Sequence, residues 1–244
     1  MPAQLRAAPL GESVLAGFST RVGGESVAPF DSLNLSMDVG DDPVAVQANR
    51  AALVAAVGIA TAPVWAEQVH GGDVAVVTAN DAGRTVEGVD ALVTAERGIL
   101  VCIRVADCLP VLFADPLAGV IGAAHAGRRG LADGVLHNTV QAMENLGADV
   151  SRMEVHVGPG ICGKCYEVPA ELAAEFDVAV PGAISTTRSG TPSLDLPMAA
   201  LGLLAQLGFR SVSVGVCTFE DPDRWYSYRR AAPTGRFVGF VTRP

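Results

Sequence analysis

Four short apolar runs follow one another in the middle of the chain, at residues 91–94, 99–105, 111–114 and 120–124. Each is continuous rather than alternating and too short for a helix, so each reads as a strand buried on both faces. Such strands need helices or a second sheet on either side, and that requirement constrains everything else in the chain. With 244 residues, half of them hydrophobic, the chain can supply the cover. Further strand patterns stand at 64–69, 73–78, from 153, at 212–216 and at 236–241, and helical patterns at 131–146, 171–176 and 195–207. There is no strict βαβ alternation. The expected class is therefore α+β, a single domain over 1–244 with mixed β-sheets flanked by helices.

The most sharply bounded helix comes early. Asp42 suits an N-cap, Pro43 the first helical position and Gly58 the end, with Val46, Leu53, Val54 and Val57 on one face. Asn49 and Arg50 fall off that face, towards the preceding stretch. That stretch, FSTRVGGESVAPFDSLNLSMDVGDD at 18–42, is rich in Gly, Ser, Asp and Asn. It reads either as a solvated loop or as one that aims Arg21, Asn34, Asp41 and Asp42 at a ligand.

Charge and composition narrow the function classes. A net charge of −9 argues against non-specific nucleic-acid binding, yet leaves room for a small anion held by local arginines. No uninterrupted apolar run reaches the roughly 18 residues of a membrane span. The opening MPAQLRAAPLGESVL lacks a secretory pattern, so a cytoplasmic location with reduced thiols is expected. Five cysteines, an odd number, also disfavour a disulfide framework.

The chemistry concentrates in residues 104–130, RVADCLPVLFADPLAGVIGAAHAGRRG. Cys108 and His125 each lie beside a chain-turning residue, Pro110 and Gly127. His70, before Gly71-Gly72, ends an earlier strand pattern. Two imidazoles and a thiolate suit an open zinc site, and a thiol with an imidazole also suits a nucleophile–base pair. The wide spacing leaves both readings open, together with an ordinary turn residue at position 70. Arg128 and Arg129 precede a helix, where backbone N–H groups and guanidiniums suit an anion. Arg229 and Arg230 lie beside Trp225, Tyr226 and Tyr228, as a lid over a ligand or a packed edge. Cys162-Gly-Lys-Cys165 has no second Cys-x-x-Cys to complete a four-cysteine zinc site, so incidental or ligand-lining thiols are the preferred reading over half a zinc site or a redox pair. His137, on the polar side of its helix, is assigned a structural or solvent role.

Taken together, the motifs resemble the bacterial YfiH-like family, also called laccase-domain or polyphenol-oxidase-like proteins. The residues that carry the resemblance are QVHG (68–71), ADCLP (106–110) and AAHAGRRG (123–130). STRVGG, SLNL, VGDDPVAVQANR, GPGICGKCYEV, YSYRR and TGRF add to them in the family's order, from about residue 18 to residue 240. The resemblance implies a YfiH-like fold and metal ligands at His70, Cys108 and His125, usually for zinc. It also implies a purine nucleoside phosphorylase acting on adenosine, inosine, guanosine or methylthioadenosine, with adenosine deaminase activity alongside. Similar proteins are described as peptidoglycan editing factors and as copper-dependent phenol oxidases. A multicopper cluster needs many imidazoles and this chain has four histidines, although copper can enter a His₂Cys site. The chain departs from the family by carrying Arg128 in place of the usual Trp and Val105 in place of a common Thr.

From this the expected partners are a small purine nucleoside and phosphate, with no nucleic acid and no membrane, and the oligomeric state is left open. Cys108, His125 and Asp107 are expected to be catalytic, Asp107 as proton carrier or as the group orienting a ligand histidine. Arg21, Asn34, Arg50, Arg128, Arg129 and Arg229 are expected to contact substrate or phosphate. The competing expectation is a cysteine hydrolase of cell-wall precursors with Cys108 as nucleophile and His125 or His70 as base.

Overall fold

The computed structural model describes residues 2–209 and 213–244, with backbone alone at 213 and 214. In chain order the strands are β1 (Leu5–Ala7), β2 (Leu15–Ser19), β3 (Val64–Ala66), β4 (Val74–Val76), β5 (Thr85–Val86), β6 (Ala91–Thr94), β7 (Leu100–Val105), β8 (Leu109–Asp115), β9 (Val120–Ala126), β10 (Glu154–Val157), β11 (Ile184–Thr186), β12 (Pro192–Leu194), β13 (Ser213–Val214) and β14 (Phe237–Thr242). The helices are α1 (Pro43–Val57), α2 (Arg128–Ala132), α3 (Val135–Asn145), α4 (Ala170–Ala179) and α5 (Leu196–Gln206). One six-stranded sheet runs β1-β2-β14-β7-β3-β5, a second runs β13-β10-β8-β9-β6-β4, and β11-β12 form a small hairpin. Both large sheets mix parallel and antiparallel pairs. The architecture is the α+β arrangement expected.

The continuous apolar runs follow from the layering. Successive strand residues point to opposite faces, so a strand covered on both sides must be apolar at every position. In β7, Leu100 and Cys102 join Leu53 of α1 in one core, while Val101, Ile103 and Val105 face the other sheet. In β8, Leu112 and Ala114 share that inter-sheet core, whereas Leu109, Val111 and Phe113 pack under α3, α4 and α5. The layers are thus α1, first sheet, second sheet, then the remaining helices.

Several local readings hold. Asp42 caps α1 by accepting a hydrogen bond from the Val44 amide at 3.0 Å, and Gly58 closes the helix in the left-handed region at φ 79°. The strand expected at 212–216 is described as β13, and residue 212 lies outside the described residues. The helix expected over 131–146 is a correction: Gly134, at φ 80°, breaks it into α2 and α3. A left-handed residue cannot continue the helix, so the chain turns at Gly134 between α2 and α3.

Candidate active site

The two histidines and the cysteine come from three separate segments and meet at one point; the strand expected over 64–69 stops at Ala66, and His70 lies in the bend beyond it. His70 follows β3, Cys108 lies between β7 and β8, and His125 sits inside β9, opposite Pro110 of β8. One ligating atom from each lies within 4.8 Å of the other two. The rings of His70 and His125 are edge to face, with centroids 4.7 Å apart.

Asp90, fully buried at the start of β6, builds this arrangement. Its Oδ1 accepts from His125 Nδ1 at 2.7 Å and from the His70 amide at 3.0 Å. Its Oδ2 accepts from the amides of Val69 at 3.1 Å and Gly71 at 2.7 Å. His70 is held in the left-handed region, φ 63°, a backbone state that a non-glycine residue keeps only when its surroundings enforce it. The Asp90 bonds are that enforcement. Because Nδ1 of His125 is taken, its Nε2 is the nitrogen left to face Cys108 or a metal. Gln68 supports the same loop, donating to Arg104 O at 2.7 Å and accepting from Arg104 N at 2.9 Å.

Charge follows geometry. Burial raises the Cys108 thiol, but the His125 charge and hydrogen bonds from His125 and His70 outweigh it and bring the thiol down to about 6. Burial lowers His125, but the Cys108 thiolate and the Asp90 hydrogen bond outweigh it and raise the imidazole to about 9. Burial likewise works against ionised Asp90, and the hydrogen bonds from His125 and Gly71 keep it below the usual carboxylate range. The pair is therefore poised as thiolate and imidazolium, a state in which a cation can replace the imidazolium proton.

The donor set fits a metal. Two imidazoles and one thiolate match an open zinc site with a free fourth position, and a carboxylate bonded to the far nitrogen of a ligating histidine is the usual partner that orients it. The surroundings also leave room. A Cβ on Gly127 would lie 3.0 Å from Cys108 Sγ and 3.2 Å from His70 Cδ2.

The cluster opens into a cleft of about 970 Å³ whose walls include Arg104, Asp107, Tyr166, Tyr228, Arg229 and Arg236. The Arg229 guanidinium lies over the Tyr166 ring at 4.9 Å and that of Arg236 faces the Tyr228 ring at 5.7 Å. Arg128 starts α2 and is half-buried, and burial raises the Tyr166 hydroxyl against the opposing charges of Arg128 and Arg229.

Other expected site residues are placed elsewhere. Arg21 donates to Asp31 O and Pro222 O and lies over Tyr226, tying loops together away from the cleft. Asn34 is buried, donating to Ser36 O and Asp41 Oδ2. Arg50 stacks on Trp65 at 4.2 Å and donates to Leu35 O, on the outer side of the first sheet. Arg129 is exposed and reaches only Val69 O, at 3.3 Å. Asp107 does line the cleft, but it touches neither histidine: it accepts from Thr218 Oγ1 at 2.6 Å and from the Arg229 amide at 2.7 Å. The orienting role expected of Asp107 belongs to Asp90. Sequence reasoning passed over Asp90, whose only signal is an acid directly in front of an apolar strand, as well as Gln68, Arg104, Tyr166 and Arg236.

Comparisons with known proteins agree with this geometry. Residues 15–244 match the family described as multi-copper polyphenol oxidoreductase laccase. A Streptomyces griseus protein named purine nucleoside phosphorylase ORF3 is 49% identical over 244 residues, covering 99% of each chain. The crystal structure of YlmD from Geobacillus stearothermophilus superimposes with a TM-score of 0.89 at 35% identity, covering 95% of this chain and 92% of that one. That of Bacillus licheniformis YfiH does so at 0.85 and 28% identity, covering 95% and 93%. The match over residues 15–244, the shared fold and these identities lead to one conclusion: the chain belongs to the laccase-domain, YfiH-like family.

Proposed function

We propose that the cleft binds a purine nucleoside together with phosphate and that the chain is a zinc-dependent purine nucleoside phosphorylase that also deaminates adenosine. One observation supports this best: a His₂Cys donor set opens into the same cleft as the guanidiniums of Arg104, Arg229 and Arg236 and the rings of Tyr166 and Tyr228. The name carried by the Streptomyces griseus relative is consistent with it.

Zinc held by His70, Cys108 and His125 would supply a Lewis acid and lower the pKa of a bound water to about 7. The chain's own groups do the rest. Phosphorolysis joins a phosphate oxygen to the ribose anomeric carbon and breaks that carbon's bond to the purine nitrogen. The bonding pair leaves with the purine, which takes up a proton. Arg229 and Arg236 offer planar donors for phosphate, and their tyrosine neighbours offer faces for the purine. Asp107, fixed in the wall by Thr218 and the Arg229 amide, is the carboxyl assigned to carry the proton. His125 is tied to Asp90 and buried, so of the two imidazoles the exposed His70 is the one that meets substrate.

The cysteine-hydrolase reading draws on the same thiolate–imidazolium pair with Asp90 behind it. Metal separates the two readings, because chelation abolishes the phosphorylase and spares the hydrolase. Copper competes for these donors by intrinsic affinity, so copper in a purified sample reports exposure to copper. The test is incubation of zinc-loaded protein with adenosine and phosphate. Adenine with ribose 1-phosphate, and inosine in addition, is the expected outcome. If neither base nor inosine forms, or if Cys108→Ala leaves the yield unchanged, the proposal fails.

A further inference from the structure

A second cluster of soft ligands lies outside the active site. Cys162 and Cys165 stand in the turn after β10, and Cys217 and Glu220 in the turn after β13. One ligating atom from each of the four lies within 4.8 Å of the other three. The two turns are brought together by a parallel bridge between Gly160 and Cys217, with Gly160 N donating to Val216 O and Thr218 N to Gly160 O. Each turn supplies its pair at the same spacing, Cys-x-x-Cys and Cys-x-x-Glu. The missing half of a four-ligand site is therefore present, some 50 residues downstream and with a carboxylate in place of the fourth thiol.

We propose that Cys162, Cys165, Cys217 and Glu220 form a second, closed site for a tetrahedral thiophilic divalent cation of the zinc class. Zinc–sulfur bonds of about 2.3 Å in a tetrahedron put neighbouring ligands ~3.8 Å apart, within reach of the present spacing by small side-chain rotations. The turns already supply an amide hydrogen bond of the kind thiolate ligands use: Cys162 N donates to Cys217 Sγ at 3.4 Å. All three thiols are free. Three thiolates and a carboxylate around a dication leave a net double negative charge. Arg188 is placed to offset it, paired with Glu220 and donating to Cys165 Sγ at 3.4 Å.

The role of such a site follows from what its turns carry. Tyr166, next to Cys165, lines the active-site cleft, and Thr218, next to Cys217, donates to Asp107 in the cleft wall. Arg229 also donates to Glu167 O in the first of these turns. A cation joining the turns would fix the wall that presents Tyr166, Asp107 and Arg229, a clamp built from other ligands than those of the first site. The inference stands whether or not the nucleoside reading is correct.

The test is cobalt titration of the reduced full-length protein, read by the near-ultraviolet thiolate-to-cobalt charge-transfer band together with bound cobalt per chain. Wild type should bind two equivalents. Cys108→Ser should bind one and keep most of the band; Cys217→Ser should bind one and lose most of it. In wild type, zinc should also protect Cys162, Cys165 and Cys217 from alkylation, as mapped by mass spectrometry, so that the result does not depend on a variant folding. One equivalent in wild type with no protection of these thiols overturns the proposal, as does a disulfide among them that persists in reductant. Glu220→Gln should keep the band and weaken cobalt binding; unchanged affinity removes Glu220 from the site.

Discussion

His70, Cys108 and His125 stand in the bend after β3, between β7 and β8, and within β9, whereas Cys162, Cys165, Cys217 and Glu220 stand in turns at the edge of the second sheet. The first group is oriented by a buried carboxylate that also bonds three consecutive backbone amides. The second is oriented by two turns and one bridge, with Arg188 outside it. The first thiol is drawn down to about 6, while burial and the neighbouring Cys217 and Cys162 thiols push Cys165 up to about 12. The first site is thus oriented by Asp90 with its thiol drawn towards the ionised form. At the second, a cation would have to displace thiol protons as it binds. That contrast suits chemistry at the first site and mechanical clamping at the second.

The contrast can be attacked in order of expected effect. Cys108→Ser should reduce phosphate-dependent base release to background while leaving the melting temperature within a few degrees, since the cleft is open there. Asp90→Asn comes next. It removes the charge that orients His125 and keeps the shape, so zinc affinity should fall about 10–100-fold, measured by competition with a chromophoric chelator. An equal fall on Arg188→Ala would erase the claimed difference between a built carboxylate and an outer cation. Gly127→Ala requires no change in backbone region, since φ at Gly127 is −81°, and only fills space beside Cys108 and His70. It should weaken metal binding at the first site with the second untouched.

Smaller effects test the scaffold. Asp115 is fully buried and accepts from the Leu117, Ala118 and Asp149 amides and from Arg152. Burial opposes its ionisation, yet the Ala118 amide and Arg152 hold its pKa below the usual carboxylate value. A depressed folded-state pKa means the ionised group stabilises the fold above the unfolded value and stops doing so as pH falls through the folded one. The stability gap between wild type and Asp115→Asn, read from denaturant midpoints, should therefore shrink from about pH 5 downward. A gap that widens would contradict the assignment. Asp42→Ala should cost about 1 kcal/mol through the lost cap on α1, with no effect on either metal site.

How much of this was legible in the sequence depended on distance along the chain. The caps of α1 are local chemistry, and the apolar runs of β6 to β9 state directly that both faces are covered. His70, Cys108 and His125 were legible as residue types beside turns and became a set through family resemblance. Asp90 was not, because nothing local links it to a histidine 35 positions later. The same holds for Cys217 and Glu220, which a long-range parallel bridge brings to Cys162. Arg21, Asn34 and Arg50 misled for a related reason: polar residues in or beside an irregular stretch suggest a ligand, yet here they bond the backbone and acids of that stretch. Gly134 misled by sitting inside an amphipathic pattern that continues on both sides of it.

The central claim is that base release occurs at the site of His70, Cys108 and His125 and requires its metal. The most direct measurement is phosphate-dependent hypoxanthine release from inosine by chelator-stripped protein titrated with zinc, in wild type and Cys108→Ser. The account predicts release that climbs from background to a plateau as zinc is added to wild type, and none at any zinc level in Cys108→Ser. Equal release from stripped and loaded wild type, or a Cys108→Ser enzyme that matches wild type, would contradict it.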